Sequence, residues 1–195
     1  MKNYAIMLAV TLFVAGCQST GKESPAEVAV NHDEEISLEQ FCQNNPCREN
    51  IRVTFRTEND VVDELLPLYW PAAQGDAISI LPGEELLIEA DLLEGDRLGN
   101  FRQVTAMRNP EKTIRFSFTQ MDTSVGMMLS VQNPFSFPIK YNLDMIDFEG
   151  NPHQTSSCPV RSNMSVYEMW PHPIPELILS NMRVLGESAK SVCTY

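Results

Sequence analysis

The chain has 195 residues, 43% of them hydrophobic, with 14 basic and 26 acidic side chains and a formal net charge of −12. A chain this acidic, with no basic cluster to interrupt it, repels phosphate backbones and argues against a nucleic-acid partner. The same charge opposes close contact with anionic lipid heads, so membrane association must come from something other than surface electrostatics.

The N-terminus opens with Lys2 and an apolar run over residues 4–16 that only Thr11 interrupts. A membrane-spanning helix needs about 20 apolar residues. This run is too short to span and has the length of a signal-peptide core. It ends in Val14-Ala15-Gly16-Cys17, an aliphatic residue and two small ones before a cysteine. In charge, apolar length and this tetrapeptide, residues 1–20 resemble the leader of bacterial lipoproteins. The resemblance implies cleavage after Gly16, a diacylglycerol thioether on Cys17 and acylation of its amine. Each buried methylene contributes about 0.8 kcal/mol, and a single chain holds only marginally, so it takes two or three chains on one residue to make a lasting anchor. Gln18, not Asp, follows the cysteine. In lipoproteins of enteric type that implies the outer membrane, on the side facing the periplasm.

Removing residues 1–16 takes one Lys and no acid, which leaves a net charge of −13. Residues 17–40 are polar and acidic with no sustained period, and they predict a flexible tether with a reach of about 25 Å. Residues 41–195 then form one domain, large enough for a single core.

The chain has five cysteines. Lipidation of Cys17 leaves Cys42, Cys47, Cys158 and Cys193, an even set that suits an oxidising compartment. Four cysteines allow three pairings. The turn-forming "CQNNPC" favours Cys42–Cys47, which leaves Cys158–Cys193 to tie the C-terminus back. No C-x-x-C motif is present, and residues 158 and 193 are too far apart in sequence for the two close pairs of a zinc site.

From Ile51 onward a period of two dominates. "IRVTFR" sets Ile51, Val53 and Phe55 on one face, and "AISI" at 77–80 continues the pattern. "LLIEADL" at 86–92, "IRFSFT" at 114–119, "VGMMLSV" at 125–131 and "IKYNLDM" at 139–145 each place apolar residues on one face and polar ones on the other. Each predicts a strand with one wet face. Two more strands are expected at about 160–169 and 177–185. In the second, Leu177, Ile178 and Leu179 are consecutive, which predicts a bulge or burial on both faces. "LPGEE" at 81–85, "RNPEK", "QNPFSFP" and "FEGNP" supply the turns. "VVDELL" at 61–66 is read as one helical turn. Seven to nine short strands imply an all-β fold, a two-sheet antiparallel sandwich of immunoglobulin-like type. Beyond its leader the chain resembles small β-sandwich lipoproteins of the bacterial envelope, without pointing to one family.

The segment "MWPHPIPEL" at 169–177 has three prolines in five positions and predicts an extended connection. Trp170, His172 and Ile174 alternate along it. Two readings follow: an aromatic platform for a partner, or a loop whose Trp170 caps the core. Tyr69 and Trp70 form a similar cap or the other wall of one groove. The ten methionines and His32, His153 and His172 are residue types that bind soft metals. No His pair has ligand spacing, however, and Met127 and Met145 fall on apolar strand faces. The acidic segments "DLLEGD" and "DMIDFEG" lack the spacing of a calcium loop. No G-x-S-x-G, H-E-x-x-H, P-loop or dinucleotide motif occurs.

The reading is a lipid-anchored envelope protein that acts by binding, as an accessory or scaffold module with an envelope protein partner, and not as an enzyme; no cofactor is expected. Two alternatives stand beside it. A periplasmic carrier of a soft metal or small ligand needs His153, His172 and exposed methionines to converge. A hydrolase needs a deep pocket holding polar groups with perturbed acidities.

Overall fold

The computed structural model describes residues 36–186 and 192–193. The leader, Cys17, His32 and most of the tether lie outside the described residues. The compact unit begins at Ile36. A short helix α1 (Leu38–Cys42) follows directly, with Ser37 accepting from the Gln40 N–H and the Gln40 side chain accepting from the Ser37 N–H. That reciprocal capping box holds a helical turn too short to persist alone. Residues 36–40, assigned by composition to the tether, thus belong to the domain. The Cys42–Cys47 disulfide closes the loop after the helix.

Twelve strands come next among the described residues: β1 (Arg48–Arg56), β2 (Val61–Tyr69), β3 (Ala73–Gln74), β4 (Ala77–Ile80), β5 (Glu85–Leu93), β6 (Arg97–Val104), β7 (Thr113–Gln120), β8 (Met127–Gln132), β9 (Ile139–Ile146), β10 (Pro152–Thr155), β11 (Ser165–Trp170) and β12 (Glu176–Val184). The fold is all-β and sandwich-like, as expected, but with more strands than the seven to nine that alternation predicts. The unpredicted ones are β2, β3, β6 and β10. β10 reads "PHQT" and has no apolar face to alternate. "VVDELL" lies in β2, not in a helical turn. Its pairing with β1, from Arg48↔Tyr69 to Arg56↔Val61, overrides its local preference.

All pairings are antiparallel. One sheet is the β1–β2 ribbon, and the other has ten strands in the order β10-β9-β12-β6-β5-β7-β8-β11, with β3 and β4 branching from β12. β12 pairs β4 along Leu177–Leu179 but touches β6 only at Arg183↔Arg97, beyond a register shift between Ser180 and Arg183. The bulge re-aims the strand there. Two layers result, β3-β4-β12-β9-β10 and β6-β5-β7-β8-β11. Ile78, Ile80, Tyr141, Leu143, Leu177 and Leu179 from the first meet Leu86, Ile88, Phe116, Phe118, Leu129 and Val131 from the second, all buried. The "LPG" corner carries the chain from β4 to β5. Gly83 there has φ +88, a left-handed conformation that glycine adopts without strain.

Alternation in β12 resolves as the sequence suggested. Leu177 and Leu179 fill the core, while Ile178 points to the other face of the layer. The same pleat puts Ile78 and Ile80 inside and leaves Ala77 and Ser79 on the outer face. That outer face is where the ribbon lies.

Candidate functional site

The β1–β2 ribbon packs outside the sandwich. Val53 and Phe55 cluster with Leu81, and Ile51, Val62, Leu66 and Tyr69 pack around them. The pleat of β2 decides which side chains turn inward: Val62, Glu64 and Leu66 face the sheet, while Val61 and Leu65 are exposed. Between ribbon and sheet runs a groove of about 1000 Å³. Its floor is Ala77, Ser79 and Ile178, and the β9–β10 turn adds Phe148. The volume is that of a small-molecule site, in which an apolar lining carries a few convergent polar groups.

Those polar groups form one network. Arg48 donates from Nε to the Trp70 carbonyl at 2.8 Å, from Nη2 to Ser79 Oγ at 2.7 Å and from Nη1 to Glu84 Oε2 at 2.6 Å. Its guanidinium also stands 5.0 Å over the Tyr69 ring. Ser79 Oγ donates to Glu176 Oε1, and the Tyr69 hydroxyl donates to Glu176 Oε2 at 2.9 Å. Burial pushes the Glu84 carboxyl up, opposed by Arg48 and by the Leu81 N–H that bonds it. Burial, and then the negative charge of Glu176, push the Tyr69 phenol far above its ordinary value. Tyr69 therefore remains a hydrogen-bond donor at any physiological pH. Only Glu84 bonds the guanidinium directly, while Glu176 joins the network through Ser79 and Tyr69, so when both carboxylates are ionised the network carries a net negative charge.

The far end of β1 is also pinned. Arg56 donates from Nη2 to the Met121 and Ser124 carbonyls at 2.5 and 2.9 Å and from Nη1 to the Asp122 carbonyl at 3.0 Å. Gln120 closes the clamp by donating to the Arg56 carbonyl at 2.8 Å. The ribbon is thus held at both ends over a groove that stays open between them.

The β9–β10 turn forms the rim. Asp147 Oδ1 accepts the Glu149 and Asn151 N–H groups, and Oδ2 lies 2.7 Å from His153 Nε2. The His153 bond, then the Asn151 N–H, hold this carboxyl well below the usual range. Phe148, 57% exposed, stands 6.0 Å from the Phe55 ring.

The sequence-predicted residues divide. Tyr69 and Trp70 do line the groove, and Trp70 packs edge-on against Phe41 at 5.1 Å. Trp170 and Ile174 do not form an exposed platform. Both are buried in the main core, and Trp170 Nε1 donates to Thr155 Oγ1 at 3.3 Å. An amphipathic indole at the end of a sheet is more stable buried with its N–H satisfied. Of the alternating trio only His172 is exposed. It lines a second, smaller pocket of about 230 Å³ together with His153 and Met145. Among the described residues, no group of three or more His, Cys, Asp or Glu could hold a metal ion. Cys158 pairs with Cys193.

Sequence reasoning missed Arg48, Ser79, Glu84, Glu176 and Ile178. A signal existed for two of them. Ser79 sits between two core isoleucines, and Ile178 between two core leucines, so each had to face the opposite side. Nothing in the sequence said that this side would be covered. No protein-family model, no curated protein and no solved structure matches the chain.

Proposed function

We propose that the chain is a lipid-anchored protein of the cell envelope that works by binding, and that the groove under the β1–β2 ribbon is the place where it binds a small apolar ligand. The observation that carries this reading is the groove itself, about 1000 Å³ between two pinned layers of sheet, lined by Val53, Phe55, Val62, Leu66 and Ile178. A concave, mostly apolar lining with a few convergent polar groups is the form that small-molecule sites take. The tetrapeptide ending in Cys17 supports the anchor, and the two disulfides suit the oxidising compartment that the anchor implies. The lipid holds the domain at the outer-membrane surface on its tether, within reach of an envelope protein that delivers or receives the ligand.

Nile red, a neutral apolar dye, tests the groove. The protein should bind it saturably with one-to-one stoichiometry and a rise in fluorescence. Ala77→Trp, which fills the floor, should remove binding while leaving the unfolding transition in place. Unsaturable binding, or binding that survives Ala77→Trp in the folded protein, would overturn the assignment.

A further inference from the structure

The charged side chains that line the groove all have one sign. Glu64 on β2, Asp147 on the β9–β10 turn and Glu176 on β12 line it, and no Lys, Arg or His does so among the described residues. The nearest guanidinium, Arg48, is buried and already committed to Glu84, Ser79 and the Trp70 carbonyl. Such a wall repels fatty acids, alkyl sulfates and phosphate-bearing lipids, the common anionic amphiphiles. A net charge of −12 over the whole chain reinforces the repulsion. Aromatic rings line the same groove, Trp70 and the exposed Phe148 among them. Ring faces and carboxylates together favour an ammonium group over a neutral or anionic one.

We propose that the ligand of the groove is a cationic amphiphile, whose apolar body lies between ribbon and sheet and whose amine or quaternary ammonium head is drawn to the acidic side chains that line it, Glu64, Asp147 and Glu176. The inference rests on the reading of the groove as a binding site. The three acids are not equivalent. Asp147 is engaged by the Asn151 N–H and by His153. Glu176 has one bond on each oxygen, from Ser79 and Tyr69, and a carboxylate oxygen has a further lone pair to offer. Glu64 is exposed on the ribbon face of the groove and has the most freedom to turn toward a head group.

The test uses three probes with one chain length and different heads: decyltrimethylammonium, decyl maltoside and decyl sulfate. Each is titrated below its micelle concentration by calorimetry at low salt. The ammonium probe should bind about tenfold more tightly than the maltoside, and the sulfate least of all. Glu64→Gln should shrink the advantage of the ammonium probe and leave maltoside affinity unchanged. Glu58→Gln, an exposed acid on the ribbon that does not line the groove, should leave all three unchanged. If the maltoside binds and the ammonium probe binds no more tightly, the charge inference fails while the groove stands. Equal losses from Glu58→Gln and Glu64→Gln would also overturn it, since they would show attraction to overall charge alone. If no decyl probe binds, the groove reading itself fails.

Discussion

Arg48 and Glu84 lie 36 residues apart in the chain and meet at 2.6 Å, with side chains only 5% and 13% exposed. The pair fastens the base of the ribbon to the corner between β4 and β5. A buried pair offers little net stability over an apolar substitute, but removing one partner strands the other charge at a cost of about 3–5 kcal/mol. Glu84→Ala and Arg48→Ala should each lower the unfolding free energy by about that much in urea melts. The combination Arg48→Met with Glu84→Leu should fall well short of the sum of the single losses. Additive losses would show that the two residues act independently.

Stability should depend on pH through Glu168. This residue is 8% exposed and accepts from the Cys158 N–H at 2.6 Å. Burial pushes its carboxyl up, and the Cys158 bond and Lys140 only partly oppose the shift. A raised carboxyl favours the protonated form in the folded protein. Its stabilising contribution is therefore present below the ordinary carboxylate range and is lost as pH rises through the raised folded value. Glu168→Gln keeps an oxygen for Cys158 and cannot ionise. The stability of the variant relative to the native chain should rise from acid toward neutral pH, measured by denaturant unfolding across that range. A difference that stays flat with pH would exclude the effect.

The two disulfides should differ in worth. In the chain-entropy picture, a cross-link spanning 35 residues, as in Cys158–Cys193, contributes about 4 kcal/mol. One spanning 5 residues, Cys42–Cys47, contributes about 2 kcal/mol. The longer link also holds the Val192 carbonyl 3.3 Å from Lys140 Nζ. Cys158→Ser with Cys193→Ser should therefore lower the melting temperature more than Cys42→Ser with Cys47→Ser. Equal shifts would mean that native packing, and not loop closure, sets the size of the effect.

The anchor is tested at Cys17, which lies outside the described residues. Cys17→Ser should leave the protein soluble or unprocessed when cells are fractionated, and intact mass should show no free thiol among the other four cysteines of the native protein. A cleaved Cys17→Ser protein that still sediments with membranes would rule out lipid at that position.

The core was legible in the sequence wherever a strand has one wet face and one dry face. Phe116, Phe118, Leu129, Tyr141 and Leu143 are buried where alternation put them. β2 escaped notice because a two-stranded ribbon over a groove leaves its inner face only partly covered and Leu65 on its outer face 60% exposed, so apolar residues fall on both sides. The helical turn at Ser37 was hidden by composition, since capping depends on two side chains reaching three residues along the chain and not on hydrophobic period.

The sequence alone determined the all-β class, because side-chain period follows from backbone geometry. It favoured, out of three possible pairings, the one the structure shows, because a short turn brings Cys42 to Cys47 and leaves the other two. The groove was decided only by tertiary structure. Arg48, Ser79, Glu84 and Glu176 become one network only when the ribbon, the β4–β5 corner and β12 come together, and no local pattern records that meeting. The fates of Trp170 and Ile174 were decided in the same way. Alternation could say that they share a face, but only the packing of the two layers made that face an inside one.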